Sequence, residues 1–497
     1  MSEPPVDLAV IGGGIAGLAA AWAAHCRGWS VRILDADADP GGKIGTDTLD
    51  GYVCERGPNS FLGSAAAVWR LVDELGLDGE IVCGRKPSFR FVFRDGKARR
   101  LPTDPWTLLF GDWLSWRGKL RLLAEPWVRG AGSDSESVAA FATRRLGAEA
   151  AAGLVAPFVG GVWAGDADTL PAKEAFPALW QWEHDAGSLV RGALRSRRSA
   201  RALLGPARAG RRRPAGLYSL RGGLGALPRR LVAALPVGSW LGRCRVEAVQ
   251  RESGMFDVGA RDAAGSACRV RARRLVVAVP AAAAAPLLSA VPAVAHDLAT
   301  VTSCRVAVVH FGGPDPDGRA PRGFGVLVAP GEPALAPDGA ARAPDEAAQA
   351  PDEAMRALGV LFPSSVFPDR APAGHWLSTA FFGGARDPAA LDLPDAELVR
   401  LACHAQHCAF GAGAGQPALA CTFSHVVRWP VAIPQYGAGH RARLATAAAS
   451  LERTWPGATL AGNFVQGISM ADAAQSGFDA VGRVAALDVS DGVPDGP

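Results

Sequence analysis

No uncharged apolar run as long as about 18 residues occurs in this 497-residue chain, so no membrane-spanning helix is expected. Any contact with a bilayer would come from one side. The nine cysteines show neither C-x-x-C nor a disulfide-like spacing, which argues against a secreted disulfide scaffold and for a reducing compartment. The N-terminal MSEPPVD is acidic and polar and lacks the apolar core of a signal peptide, so a cytoplasmic location is expected. A net charge of +4 gives no reason to expect a nucleic-acid partner. No Ser-His-Asp set, metal cage or isolated acid–base pair stands out. The nearest approach to a metal site is CHAQHC, where Cys403/His407 and His404/Cys408 each lie one helical turn apart. The two pairs are offset by about 100° around the axis and cannot converge on one ion, so no metal is expected.

What the chain does carry begins at Val6. VDLAVIGGGIAGLAAAWAA reads as a buried parallel strand, a glycine turn and an alanine-rich helix. Gly12, Gly14 and Gly17 fit G-x-G-x-x-G in the strand-to-helix setting where that pattern has a mechanism. The first glycine permits the tight turn, the second lets the backbone approach a pyrophosphate, and the third lets helix and strand pack closely. The helix N-terminus then offers unpaired N–H groups to the phosphates. Asp35 closes the second strand, VRILD, where a carboxylate can accept ribose hydroxyls. Gly41-Gly42-Lys43 adds a second run of backbone N–H groups near the phosphate end. These features imply a dinucleotide-binding α/β domain in a chain long enough for two or three domains. They do not say which dinucleotide binds.

Three motifs in order make the likeness specific: G-G-G-I-A-G at the turn, D-x-x-x-x-P-G-G-K from Asp35, and E-R-G-P-N-S-F from Glu55. Together they resemble the flavin-binding start of the protoporphyrinogen oxidase family, within the wider FAD-dependent amine oxidase and phytoene desaturase superfamily. The likeness continues through Ala156–Gly192, Leu217–Leu231 and A-G-N-x-x-x-G-x-x-x-x-D-x-x-x-S-G from Ala461. The chain departs from the family at Asp35, where relatives usually carry Glu. The resemblance implies an α/β fold: a Rossmann-like FAD-binding domain, discontinuous in sequence, with an α+β substrate domain and a helical membrane-docking insert. The FAD domain would take residues 1–86, 217–290 and 421–490. The substrate domain would take 87–103 and 291–420, and the helical insert 104–216.

The same resemblance implies FAD contacts from Gly12, Gly13, Gly14, Ile15, Ala16 and Gly17, then from Asp35, Ala36, Gly42 and Lys43. Further contacts would come from Gly57, Pro58, Asn59 and Ser60, from Val246 beside the adenine, and from Trp429 and Asn463. The N–H groups of Ile468, Ser469 and Met470, at a helix start, would stabilise the negative charge of the reduced flavin. The activity implied is oxidation of protoporphyrinogen IX to protoporphyrin IX in three two-electron hydride transfers, with oxygen as acceptor and hydrogen peroxide as by-product. With a flavin supplying the chemistry, no catalytic side chain is needed beyond it. Arg90 is the candidate cation for a substrate propionate, since its fork suits a carboxylate. Leu327, Leu361 and Phe381 would wall the macrocycle, and Gly161 would let it approach the backbone. Coproporphyrinogen III is the alternative substrate, and a flavin amine oxidase or a non-catalytic FAD-binding protein the more distant readings. Only three tyrosines are present, which disfavours the aromatic cage of an amine oxidase. The implied partners are a porphyrinogen, molecular oxygen and the cytoplasmic face of the inner membrane. A homodimer and hand-off of product to a ferrochelatase are left open.

Residues Thr103–Gly130 set Trp106, Trp113, Trp116 and Trp127 among Leu and Phe, interleaved with Arg117, Lys119, Arg121 and Arg129. Tryptophan with basic residues suits a bilayer interface, and a packed helical core is the competing reading. The resemblance favours the interface. Arg191–Arg213, rich in Arg and without acid, reads as a solvated loop, and 331–353 as a disordered acidic insert of Ala, Pro and Asp.

Overall fold

The apolar run at the N-terminus becomes a central strand of a seven-stranded sheet, where Leu8–Ile11 is buried on both faces. The structure is a computed structural model and describes residues 4–86, 89–102, 105–130, 132–203, 213–332, 355–411 and 417–486. Val6–Ile11 runs parallel to Val31–Leu34 on one side and to the end of Ala267–Val277 on the other. Trp240–Leu241 extends the first flank and Ala458–Leu460 the second, both parallel. Met255–Arg261 and Arg245–Glu252 add an antiparallel flap to the start of Ala267–Val277. Helices Ile15–His25 and Met470–Ala486 cover one face of the sheet. Helices Ala281–Leu287, Pro292–Ala299 and His440–Thr454 cover the other. Gly477 seats the last helix directly on the first, since a Cβ there would lie 2.0 Å from the Ala16 carbonyl oxygen.

A second seven-stranded sheet runs in the order Phe423–Trp429, Val306–Pro314, His375–Gly383, Gly359–Leu361, Gly325–Val328, Arg90–Arg94 and Lys97–Arg100. Its pairs are antiparallel except Gly325–Val328 with Arg90–Arg94. Side chains alternate along each strand and paired residues face the same way, so the register sorts the sheet into two faces. Phe93, Val326, Val360, Phe382 and Val309 form the back face and are buried beneath helix Asp395–Phe410. The front face holds the candidate substrate residues, of which Leu327, Leu361 and Phe381 are half-buried and Arg90 exposed.

Three sequence expectations need correction. Helix Pro292–Ala299, assigned by sequence to the substrate segment 291–420, packs into the core of the first sheet. Phe423–Trp429, grouped by sequence with the nucleotide-binding segments in 421–490, hydrogen-bonds instead to Val306–Gly312 as an edge strand of the second sheet. A short alternating strand does not reveal which sheet will take it. The first part of the Arg191–Arg213 block is also not a loop. Helix Leu189–Leu203 runs through it, as Ala, Leu and Arg all favour helix. From residue 333 onward the acidic insert lies outside the described residues, as do 204–212 of the Arg block.

Between these sheets in sequence lies a run of helices, Pro105–Phe110, Trp116–Leu123, Val138–Leu146, Ala156–Trp163, Pro177–Ala186 and Leu189–Leu203. The tryptophans divide. Trp113 is 4% exposed and belongs to a small core, whereas Trp106, Trp116 and Trp127 are 74%, 60% and 74% exposed. No helix among the described residues is long and apolar enough to cross a membrane.

Candidate functional site

The glycine turn is built to the spacing that the sequence suggested. Gly12 sits at φ +106°, and a Cβ there would lie 2.9 Å from the Ala278 carbonyl carbon. Gly17 has no room at all, because its Cβ would lie 1.9 Å from the Gly12 carbonyl oxygen. Gly14 differs: nothing lies within 4 Å of a Cβ built on it. The middle glycine thus borders open space at the start of helix Ile15–His25, where Ile15, Ala16 and Gly17 have no intrahelical acceptor for their N–H groups. The Gly41 N–H donates to the Gly13 carbonyl at 2.8 Å, and a Cβ on Gly42 would lie 3.5 Å from Gly14 Cα. The two glycine runs therefore adjoin and share one cradle.

Lys43 lies half-buried beside it. Burial holds its ammonium below the ordinary lysine value. Gly57 packs on this segment, with a Cβ position 2.4 Å from the Lys43 carbonyl oxygen, and Asn59 Nδ2 donates to the Gly57 carbonyl at 3.1 Å. Pro58 and Ser60 complete the turn before strand Phe61–Leu62.

At the other end of the cradle, Asp35 Oδ1 accepts from the Asp37 N–H at 2.7 Å and Oδ2 from the Gly13 N–H at 2.5 Å. Burial holds this carboxyl above its ordinary value. Each oxygen keeps lone-pair capacity for a hydroxyl donor. The Cys244 N–H donates to the Asp35 carbonyl two residues before Val246, and the strand register slips between Val246 and Ala248. One residue here escaped the sequence reading. The Trp240 ring lies over Gly13, 2.3 Å from where a Cβ would stand. Nothing in the pattern of a two-residue edge strand announces that contact.

In the C-terminal segment one of the three expected donors is already engaged. Helix Met470–Ala486 opens with a reciprocal cap: Ser469 Oγ accepts from the Asp472 N–H at 3.1 Å, and Asp472 Oδ2 accepts from the Ser469 N–H at 3.3 Å. The Ser469 N–H is therefore engaged, while those of Met470 and Ala471 keep the unpaired state of a helix start. Asn463 is held through its carbonyl by Tyr436 Oη.

The second sheet supplies the wall. Arg90 pairs with Gly325, Leu327 with Gly359, Gly325 with Leu361, and Gly359 with Phe381. Phe381 pairs in turn with Val308, and Val306 with Trp429. Arg90, Leu327, Leu361, Phe381 and Trp429 therefore share the front face. Gly161, on helix Ala156–Trp163, meets it, since a Cβ there would lie 2.3 Å from Leu327 Cδ2. Trp429 Nε1 donates to the Arg56 carbonyl at 2.7 Å, one residue before Gly57, which ties the wall to the cradle.

On the same face of the sheet, next to Leu361, runs a polar chain that periodicity could not disclose. His310 Nε2 lies 3.1 Å from the Glu55 carbonyl and must donate to it, so Nδ1 accepts from Thr379 Oγ1 at 2.9 Å. Burial, helped by nearby His425, drives His310 down to about 3, keeping it neutral. Burial also pushes Glu55 up to about 7, against the pull of Arg370, Thr46 and the Leu224 N–H. His425 and Arg56 both bind Asp47, whose carboxyl is held low chiefly by Arg56. No signal in the sequence marked this network, because its members come from strands far apart.

The donor set fits FAD: a clear cradle with two glycine runs, a carboxylate at its sugar end, a half-buried cation beside it, and a helix start from the far end of the chain. Residues 15–485 match the model of the family described as flavin containing amine oxidoreductase. The chain is 30% identical to the mitochondrial protoporphyrinogen oxidase of Nicotiana tabacum, over 96% of this chain and 94% of that protein. It is also 30% identical to the coproporphyrinogen III oxidase of Propionibacterium freudenreichii subsp. freudenreichii, over 94% of this chain and 88% of that one. Among solved structures, a candidate protoporphyrinogen oxidase from Exiguobacterium sp. 255-15 superposes with a TM-score of 0.75 at 21% identity, covering 98% of this chain and all of that one. A fold with a glycine cradle and a second-sheet wall, matched along nearly its whole length, leaves one assignment: the chain belongs to the flavin-containing amine oxidoreductase family and is an FAD-dependent oxidoreductase.

Proposed function

We propose that this chain oxidises protoporphyrinogen IX to protoporphyrin IX, with oxygen as final acceptor, as a step of haem synthesis. One observation carries the reading: the front face of the second sheet is an apolar wall, Leu327, Leu361 and Phe381, that ends in the guanidinium-bearing residue Arg90. A porphyrinogen is a broad apolar macrocycle with carboxylate arms, so it needs such a wall and such a cation. When bound, FAD supplies two-electron acceptor chemistry. The chain's own residues bind and orient: the cradle and Asp35 hold the cofactor, the wall excludes water from the reacting carbon, and Arg90 takes a propionate. Anaerobic mixing of the purified holoprotein with protoporphyrinogen IX should bleach the flavin absorbance, and an unbleached spectrum would sink the reading. Arg90→Ala is expected to raise KM by about tenfold or more, with flavin content within about twofold of the unsubstituted protein. An unchanged KM would remove Arg90 from the site.

The likeness to the Propionibacterium enzyme supports a second reading, coproporphyrinogen III as substrate. Side-by-side assays of the two porphyrinogens decide between them. The amine oxidase reading has less behind it. All three tyrosines are buried and engaged, Tyr52 on Phe423, Tyr218 against Trp69 and Tyr436 on His440.

We further propose that the helical insert docks on an anionic membrane, from its cytoplasmic side. The exposed Trp106, Phe110, Trp116, Leu120, Leu123 and Trp127 support this, as does the contact of Trp106 with Phe110 and of Phe110 with Trp116. The interleaved cations contribute less than their number implies. Lys119 is buried and donates to the Gly111 carbonyl, and Arg121 donates to the Arg144 and Arg145 carbonyls, while Arg117 and Arg129 face solvent. The protein is expected to float with anionic liposomes, and Trp106→Ser/Trp116→Ser/Trp127→Ser to stay in the aqueous fraction. Unsubstituted protein left wholly in the aqueous fraction would refute docking.

A further inference from the structure

Beside Arg90 the front face runs into a hollow of about 130 Å³, walled in part by Leu62 and Leu217 and carrying Arg85 and Lys86 as well as Arg90. All three cations are exposed, and none makes an ion pair with the described residues. Other arginines of this chain do meet carboxylates, as Arg56 does Asp47, Arg144 Glu136 and Arg356 Asp387. Three like charges around one hollow, with no acid among them, make a place where an anion is strongly favoured.

The hollow is also held in shape. Arg85 and Lys86 follow strand Ile81–Cys83, which pairs with Leu217–Leu220. The Gly84 N–H donates to the Leu217 carbonyl at 2.8 Å and the Arg85 N–H to the Val366 carbonyl at 2.9 Å. Arg90 is fixed from the other side by its pairing with Gly325 and by the Leu101 N–H, which donates to its carbonyl at 2.8 Å. Its guanidinium rests 5.3 Å from the Phe324 ring centre, a contact that leaves the fork free for a carboxylate.

We infer that Arg85 and Lys86 form a second carboxylate subsite, which binds an arm of the substrate next to the one taken by Arg90. The inference rests on the porphyrinogen reading. It assigns to the hollow a preference for substrates with two free carboxylates on one edge, which a single arginine would not give.

The test uses the FAD-loaded protein and two probes, protoporphyrin IX and its dimethyl ester, with binding read from porphyrin fluorescence. Arg85→Gln/Lys86→Gln is expected to weaken binding of the diacid by about tenfold and to leave the diester within about twofold. Its flavin spectrum stays unchanged, which reports a folded site. Raising salt should weaken the unsubstituted protein's grip on the diacid more steeply than the variant's. A double variant that binds the diacid as tightly as the unsubstituted protein overturns the subsite while leaving Arg90 and the proposed function standing. Unsubstituted protein that oxidises neither porphyrinogen overturns the proposed function, and the subsite with it.

Discussion

Gly17→Ala is expected to yield protein without flavin. The added methyl would lie 1.9 Å from the Gly12 carbonyl oxygen and 3.1 Å from both the Gly12 carbonyl carbon and Val10 Cγ1. None of these is the loose end of a side chain. The Gly12 N–H is bonded to the Leu34 carbonyl at 2.8 Å, and the Ala278 N–H to the Ile11 carbonyl at 2.7 Å, so the turn is pinned between neighbouring strands. Helix Ile15–His25 must therefore lift away, and it is held down by the last helix crossing at Gly477. Either the helix N-terminus leaves the phosphates or the crossing opens. The bound flavin, read as the ratio of flavin to protein absorbance, should fall at least about tenfold, and thermal stability should fall with it. Two companions separate the causes. Gly14→Ala meets nothing within 4 Å, so its fold should survive while FAD affinity drops, because the methyl enters the space the cofactor needs. Gly482→Ala, in the last helix and equally unobstructed, should keep its flavin and gain up to about 1 kcal/mol from helix propensity. A flavin-replete Gly17→Ala protein would show that the turn can relax, against the geometry.

How much of this was legible beforehand follows from the range of each signal. The glycine cradle was readable because its constraint is local: spacing, strand and helix lie within twenty-odd residues of each other. Asp35 was readable for the same reason, as the end of a short strand. The wall residues were not readable from the residues themselves. Leu327, Leu361 and Phe381 look like any apolar strand positions, and only the resemblance singled them out. Their common face comes from the register of strands that are distant in sequence, which alternation within a strand does not determine. The same limit hid the sheet to which Phe423–Trp429 belongs, the His310–Glu55–Thr379 chain, and the ring of Trp240 over Gly13. The Trp-rich insert lay between these cases. Its composition named two fates, and packing distributed them, Trp113 inward and Trp106, Trp116 and Trp127 outward.

That distribution depends on one buried cation. Arg145 is fully buried in the helical insert, where it meets Glu125, donates to the Gly187 carbonyl at 3.0 Å and donates to the Val128 carbonyl at 3.0 Å. Glu183 lies 3.5 Å away. Glu125 also accepts from Ser188 Oγ at 2.7 Å and the Leu189 N–H at 2.8 Å, and so caps the start of helix Leu189–Leu203. Burial alone would raise its carboxyl, but the hydrogen bonds from Ser188, Leu189 and Arg145 outweigh burial and hold it below the ordinary value. Arg145→Ala strips the buried carboxylates of this partner and takes the guanidinium donor from the Val128 and Gly187 carbonyls. Removing one partner of such a set costs about 3–5 kcal/mol, far more than loss of an exposed pair. Arg145→Lys should recover only part, because an ammonium cannot serve a carboxylate and two separate carbonyls from a planar fork. The loss belongs to the insert, not to the cradle. Limited proteolysis of Arg145→Ala should therefore cut within 105–203 while flavin stays bound, and liposome flotation should fail together with the insert. Loss of flavin at the same denaturant concentration as loss of the insert would instead mean that the two fold as one cooperative unit, and that the exposed tryptophans are held in place by the nucleotide site itself.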